Sequence, residues 1–367
     1  MRALAHIDLG AVERNCATLR RRAGSARLCA VVKADGYGHG ATACARAALA
    51  GGATWLAVAT ANEAAALRAD GIAGPLLVMG ALTEAELAVA LEAEADVVAW
   101  TEELVRAAEA ASKPARRARM HVKLDSGMGR LGTKDLGRAR EIAAAIGASE
   151  RLELAGVMTH FATADDVASK FFEEQLERFR PFAQEVRQSH PECIVHAANS
   201  AAVMRAEDSH FDMVRCGIAV YGMDPFGEDP ALRDLEPAMT LRSYVAALKE
   251  MAPGESAGYG RTWSASEQTR VAVLPIGYGD GYRRGLGNRA QVLINGRRHP
   301  VVGTVSMDNI TVEVGDAEVA IGDSATLLGA DGDERVTAEE LAGLLGTINY
   351  EITCGISARV PRAHQRS

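Results

Sequence analysis

Between about residue 27 and residue 220, short apolar runs alternate with longer stretches that carry Ala and Leu at helical spacing. The apolar runs are Leu28–Lys33, Trp55–Ala59, Pro75–Gly80, Asp96–Trp100, Arg119–Asp125, Leu152–His160, Ile194–Asn199 and Phe211–Arg215. The stretches between them include 41–50, 61–70, 83–94, 101–112, 134–148 and 168–189, which have few breakers and repeat Ala and Leu at i, i+3 and i+4. Eight strand-like runs with helices between them predict a parallel β/α barrel of the TIM-like β8α8 kind. A doubly wound open sheet is the alternative, but candidate polar residues end many of the runs rather than gathering at one switch point. After about residue 235 the texture changes to strand-like runs at 239–249, 269–278, 290–295, 299–305, 309–314 and 325–328. Turns are predicted at Asn295-Gly296 and Asp331-Gly332, and one short helix over 337–345. The expected organisation is a barrel domain over 1–235 and a mostly-β domain over 236–367.

Composition narrows the class. The chain has 367 residues, 48% of them hydrophobic, too long for one ordinary domain and enough for a large core. Its formal net charge of −8, with no basic block, argues against nucleic acid and anionic membranes as partners. Asp8 interrupts the place where a signal peptide needs an apolar core, and Ala-rich runs such as 47–61 contain too much Gly and Thr to span a bilayer. The six cysteines (16, 29, 44, 193, 216, 354) show no Cys-x-x-Cys spacing, so neither a metal site nor a disulfide framework is expected. A cytoplasmic protein with reduced thiols is the reading.

The chemistry begins in Ala30-Val31-Val32-Lys33-Ala34-Asp35-Gly36-Tyr37-Gly38-His39-Gly40, where a β-branched run ends on a lysine and glycines follow. Desolvation at the end of a buried strand lowers a lysine pKa from its free value of about 10.4, and the resulting amine suits Schiff-base chemistry with an aldehyde cofactor. A lysine that has merely reached solvent is the bland alternative. Other costly residues end other runs. Asp125 ends the fifth, with Arg130 just beyond, and Thr159 and His160 end the sixth. His196, Asn199 and Ser200 end the seventh, and Arg215 ends the eighth, followed by Gly217 and Ile218. Taken singly, His160 reads as a core histidine and Arg130 as a surface ion pair; together they converge on one barrel mouth. The Arg215-Cys216-Gly217-Ile218 corner suits an anion, with Ser200 and Tyr37 as hydroxyl donors.

At this point the chain resembles the bacterial alanine racemases. Residues 30–40 look like that family's cofactor-lysine signature, and the likeness continues in order through 123–132, 159–166, 196–200 and 214–222. It goes on through Gly258-Tyr259-Gly260-Arg261, Pro275 to Gly281, Ser306-Met307-Asp308 and Thr347 to Cys354. The resemblance implies a pyridoxal 5'-phosphate barrel followed by a β domain, with the first few residues pairing with the β domain. It also implies a homodimer whose active sites each combine two chains, a small amino-acid substrate, and D-alanine supplied for peptidoglycan. By the same likeness Lys33 holds the cofactor and serves as one catalytic base, and Tyr259 from the partner chain is the other, on the opposite face. Removing a proton on one face and returning one on the other is what racemisation needs. His160 flanks the pyridine ring, and Arg215 faces its nitrogen without a proton to give up. Tyr37, Asn199, Ser200, Gly217, Ile218 and Tyr350 are matched to cofactor binding, and Arg130 and Met307 to the substrate carboxylate. Lys123 matches a lysine that some members carbamylate, an ordinary pairing with Asp125 being the alternative. Asp165, Tyr278, Arg284, Asp308 and Ile348 match support and entryway positions. Cys216, Ser306 and Thr304 depart from the common Pro, Cys and Arg of the pattern. Among rival functions, a decarboxylase of the same cofactor class fits poorly with Arg215 at the ring nitrogen, and a metal-dependent hydrolase lacks a ligand cluster.

Overall fold

The computed structural model describes residues 2–113 and 116–367. It divides into two compact units: Val12–Gly36 with Ala41–Val220, and the remaining residues, Met1–Ala11, Tyr37–Gly40 and Tyr221–Ser367.

In the first of these, eight parallel strands close into a barrel: β2 (Arg27–Val31), β3 (Trp55–Val58), β4 (Leu76–Val78), β5 (Asp96–Ala99), β6 (Ala118–Lys123), β7 (Leu152–Met158), β8 (Ile194–His196) and β9 (Met213–Cys216). β9 pairs back on β2, with Cys29 opposite Arg215. Each expected apolar run carries one strand, because a parallel strand covered on both faces must be apolar along its length. The helices Ala41–Ala50, Ala61–Ala69, Glu84–Glu92, Glu102–Ala111, Leu136–Ala148 and Phe171–Ser189 fall on the stretches with 3.6-residue spacing. Thr60 and Thr83 open two of them with capping boxes completed by Glu63 and Glu86. Several runs stop earlier than the apolar pattern suggests. β2 ends at Val31, because Ala34, Asp35, Gly36 and Tyr37 take φ of 52°, 52°, 61° and 53°, a left-handed turn that no strand accommodates. β8 ends at His196, because Asn199 turns its side chain to accept from Ala202 N at 3.0 Å and caps the helix Ser200–Arg205.

The other unit is mostly β. Its strands are β1 (Leu4–Asp8), β10 (Met239–Tyr244), β11 (Ala247–Met251), β12 (Thr269–Leu274), β13 (Gln291–Ile294), β14 (Arg297–Val302), β15 (Ile310–Glu313), β16 (Ser324–Asp331), β17 (Glu334–Val336) and β18 (Arg362–Gln365). They form one sheet in the order β11-β12-β15-β14-β13-β16-β10-β1-β18, with β17 paired to β16. β1 lies antiparallel to β10 and parallel to β18. Both expected turns make hairpins; Asn295 and Gly296 supply φ of 52° and 71° between β13 and β14. The run 239–249 is two strands rather than one, since the chain breaks between Tyr244 and Ala247. β17, β18 and the helix Asn349–Cys354 have no counterpart in the predicted elements. β18 reads Arg-Ala-His-Gln and carries no apolar alternation, so only its partner strand makes it a strand.

Aromatic packing anchors the barrel's longest helix. Phe179 is fully buried and meets Phe182 and Phe211 edge to face, at 6.4 and 5.5 Å between centroids. Phe179→Ala is expected to destabilise the chain by about 3–5 kcal/mol, read as a lowered midpoint in urea with an unchanged slope.

Candidate active site

The carboxyl ends of the barrel strands gather Lys33, Lys123, Asp125, His160, Ser200 and Arg215 at one mouth, and the loop after β6 adds Arg130. Lys33 is half-buried in the turn that follows β2. The carboxylate of Glu63 shapes that turn: Oε1 accepts from Ala34 N at 2.7 Å, and Oε2 from Ala59 N at 2.8 Å. Asp35 Oδ1 accepts from Ala41 N at 2.9 Å and ties the turn to the next helix. An Ala and an Asp at positive φ are costly, and these hydrogen bonds hold them there.

Arg215 on β9 is buried and surrounded by acceptors. Its Nη1 donates to His196 Nδ1 at 2.8 Å, and Nη2 reaches Thr159 O at 2.8 Å, Ala197 O at 3.0 Å and His160 Nδ1 at 3.2 Å. Burial lowers its pKa to about 10, which still leaves it charged at neutral pH. His160 is pushed well below the ordinary histidine value, first by burial and then by the charges of Arg215, Lys123, Arg130 and Lys33, so it is neutral. Lys123 is buried at the end of β6. Burial, then Arg215 and Arg130, lower its pKa to about 8. Asp125 does not close an ion pair with it. Its Oδ1 accepts from Gly127 N at 3.0 Å and from Gly129 N at 3.1 Å, which shapes the loop carrying the exposed Arg130. At the β9 corner, buried Ser200 Oγ accepts from Gly217 N at 3.0 Å and Ala219 N at 3.5 Å, so its own hydrogen is left to donate. Ile218, next to Gly217 in the chain, is fully buried, while Asn199 serves as a helix cap and Asp165 is exposed. With four cations and two histidines whose shifts or hydrogen bonds tie them together, the mouth is built for an anionic ligand.

The β unit holds the remaining candidates. Buried Tyr37 has its ring 5.1 Å from Tyr221 and 6.0 Å from Tyr350. Tyr259 is 72% exposed, on a turn braced where Thr304 Oγ1 donates to Tyr259 O at 2.8 Å. Gly258 and Gly260, at φ of 76° and 72°, let that turn form. Met307 and Tyr278 are exposed on two loops zipped together, with Tyr278 N donating to Ser306 O at 3.0 Å and Gly279 N to Met307 O at 2.9 Å. A side chain at Gly277 would stand 2.2 Å from Ser306 O, so this close approach needs glycine. Asp308 accepts from Arg359 Nη2 at 2.7 Å and steadies the same loop, while Arg284 and Ile348 are exposed.

The sequence pattern passed over Glu63 and the buried pair Asp96 and His121. Thr60-x-x-Glu63 is a readable capping box, and Asp96 and His121 are polar residues inside apolar runs, the signal that could have found them.

A closed β/α barrel with a cationic mouth, joined to a mostly-β unit, defines the class as a two-domain barrel enzyme. Residues 7–225 match the alanine racemase N-terminal domain family and residues 238–364 the alanine racemase C-terminal domain family. The chain belongs to the alanine racemase family, a family of isomerases. It is 44% identical to the alanine racemase of Symbiobacterium thermophilum over 364 residues, 98% of this chain and 96% of the relative. Alanine racemase 1 of Bacillus subtilis is 39% identical over 361 residues, covering 98% and 92%. Among solved structures, the alanine racemase of Streptomyces lavendulae aligns with a TM-score of 0.94 at 38% identity, covering 100% of this chain and 98% of that one. No helix among the described residues is long and apolar enough to cross a membrane.

Lys123 yields a pH prediction. Below about pH 8 the folded chain bears the full cost of a buried ammonium. Between about 8 and the unfolded value of 10.5 the unfolded chain binds the proton and the folded chain does not, so stability rises with pH. Urea unfolding of the native chain and of Lys123→Met, compared at about pH 7 and about pH 9.5, is expected to shift in favour of the native chain at the higher pH.

Proposed function

We propose that the chain interconverts L-alanine and D-alanine with pyridoxal 5'-phosphate at the barrel mouth, using Lys33 and Tyr259 as two acid–base groups on opposite faces of the substrate. The observation that carries this reading is the combination of Lys33 with a buried, permanently protonated Arg215 at the end of neighbouring strands β2 and β9. The donor set fits the cofactor. Lys33 offers an amine for its aldehyde, Ser200 a hydroxyl and the Gly217–Ile218 corner a backbone for its phosphate, and Arg215 a guanidinium for its ring nitrogen. Tyr37, Asn199 and Tyr350 complete its binding in this proposal. When bound, the group supplies a carbonyl that captures an amino nitrogen and a ring that withdraws electrons from Cα.

Every other part is the work of the chain. Lys33 Nζ moves the α-proton on one face, and Tyr259 Oη of the partner subunit moves it on the other. Arg215 has a hydrogen to donate, and its pKa of about 10 keeps that proton on the guanidinium at neutral pH, so it leaves a facing ring nitrogen uncharged. That weakens the pull on Cα and limits side reactions. Neutral His160 flanks the ring without adding charge. Arg130 and the Met307 backbone N–H bind the substrate carboxylate. Tyr278, Arg284, Ile348, Asp165 and Asp308 form or support the entry.

Shared sites in a homodimer are part of the same proposal. Tyr259, Tyr278, Met307 and Ile348 are large apolar side chains left exposed in one chain, which suits a surface that a second copy covers. D-alanine made in the cytoplasm would supply peptidoglycan. The domains at 1–235 and 236–367 then have separate tasks, cofactor binding in one chain and completion of the site in its partner.

Circular dichroism of L-alanine with the cofactor-loaded protein is expected to decay to zero, faster than L-serine; a persistent alanine signal would reject the reading. Lys33→Ala is expected to lose both activity and the visible cofactor band. Tyr259→Phe is expected to slow α-proton removal from one enantiomer by about 10²- to 10⁴-fold while largely sparing the other, measured by exchange of the α-hydrogen with deuterated solvent. Mixed dimers of these two variants are expected to regain part of the activity, because one of the two sites carries both groups.

A further inference from the structure

Three buried polar side chains that the proposed chemistry does not use, Asp96, His121 and His196, lead away from Arg215 through the barrel interior. Arg215 Nη1 lies 2.8 Å from His196 Nδ1, His196 Nε2 lies 2.8 Å from His121 Nδ1, and His121 Nε2 lies 3.0 Å from Asp96 Oδ2. Asp96, His121, His196 and Arg215 are at most 4% exposed. Arg119 Nε donates to Asp96 Oδ1 at 3.0 Å, and Arg119 in turn pairs with Glu153. The line thus runs from the amino ends of β5, β6 and β7 to the mouth, through the interior of a barrel otherwise packed with apolar side chains.

The direction of every hydrogen bond in this line is determined. A guanidinium only donates, so His196 Nδ1 accepts and carries no hydrogen. A neutral imidazole then has its hydrogen on Nε2, and donates it to His121. His121 Nδ1 therefore accepts, its hydrogen is on Nε2, and that hydrogen goes to Asp96, which as a carboxylate only accepts. All three bonds point from the mouth to the floor. An added proton on either ring would set two donors against each other. The surroundings agree: burial, then the charges of Arg215 and Lys123, push the His196 pKa well below its ordinary value. Burial alone would raise Asp96, but the hydrogen bond from His121 and the charge and hydrogen bond of Arg119 hold it below the usual carboxylate value.

The backbone makes room for this line. A Cβ at Gly156 on β7 would stand 2.2 Å from His121 Nδ1, and the pairing of β6 with β7 shifts register between Met120 and His121. A glycine and a bulge inside a strand, placed where an imidazole passes, mark a built feature rather than a packing accident. Trp55 closes on the same ring edge-on at 5.9 Å.

We propose that Asp96, His121 and His196 form a one-way hydrogen-bond relay that positions the Arg215 guanidinium at the barrel mouth and holds its Nη1 away from the ligand. They are positioning residues, acting only through Arg215. The consequence for the ring nitrogen rests on the pyridoxal-phosphate reading above; the relay itself does not.

The test is ¹⁵N NMR of the imidazole nitrogens in the full-length chain, for the native protein, His121→Leu and His121→Gln. Gln can accept from His196 and donate to Asp96, whereas Leu can do neither. In the native protein both rings are expected to carry hydrogen on Nε2, and His196 is expected to stay neutral from about pH 6 to about pH 9, where an ordinary histidine titrates near 6.5. His121→Leu is expected to redistribute the His196 tautomers, and His121→Gln to restore them. With the cofactor loaded, His121→Leu is expected to move the visible band or its pH midpoint and to lower kcat roughly 10- to 100-fold with a smaller change in KM. His121→Gln is expected to reverse part of both. If His121→Leu does not fold, Asp96→Asn, which keeps an acceptor and loses the charge, takes its place and is expected to move the band midpoint while the tautomers remain. A hydrogen on Nδ1 of either native ring, or protonation of His196 near pH 6.5, would overturn the relay. So would variants that lose stability while the tautomers, band and kcat stay as in the native protein. A native chain that never binds pyridoxal phosphate would sink the functional reading instead, and the imidazole spectra would still decide the relay.

Discussion

Burying the Arg215 guanidinium takes a permanent charge out of water at the mouth of the barrel, a step that costs several kcal/mol unless each donor finds an acceptor. The carboxyl ends of β7 and β8 supply those acceptors: two backbone carbonyls, from Thr159 and Ala197, and the Nδ1 atoms of His196 and His160. No carboxylate neutralises it at the mouth among the described residues, so its field reaches the other groups there. It contributes to the lowered pKa of Lys123 and to the neutrality of His160. The mouth consequently carries more positive than negative charge, with Lys33, Lys123, Arg130 and Arg215 against Asp125, which favours an anion without specifying one.

Strain near Lys33 serves the same site. Five successive residues at positive φ, Ala34 to Gly38, three of them not glycine, are unfavourable in isolation. Glu63 offsets this by accepting from backbone N–H groups on both sides, at Ala34 and Ala59. One carboxylate thus caps its own helix and shapes the turn that follows the lysine. In the β unit, loops rather than strands carry the exposed Tyr259, Tyr278 and Met307. Backbone zippers, the Asp308–Arg359 pair and the Thr304 hydroxyl hold these loops, so side chains left open to solvent still have defined positions.

The alternation of apolar runs with amphipathic stretches determined the barrel, since eight parallel strands covered on both faces need continuous apolar character and each run carries one. The motif order also determined the family, and it singled out Lys33, His160, Ser200 and Arg215, residues too costly to end strands by chance. Tertiary structure alone decided the rest. β18 has no apolar pattern and is a strand because β1 lies beside it. Asn199 spends its side chain on a helix cap, and Asp125 spends its carboxylate on the backbone of Gly127 and Gly129; a linear reading cannot assign such partners. Asp96 and His121, separated by 25 positions, become neighbours only when β5 and β6 pair within the closed barrel. Periodicity is a local property and survives in one dimension, whereas the satisfaction of a buried polar group depends on which distant residue arrives beside it.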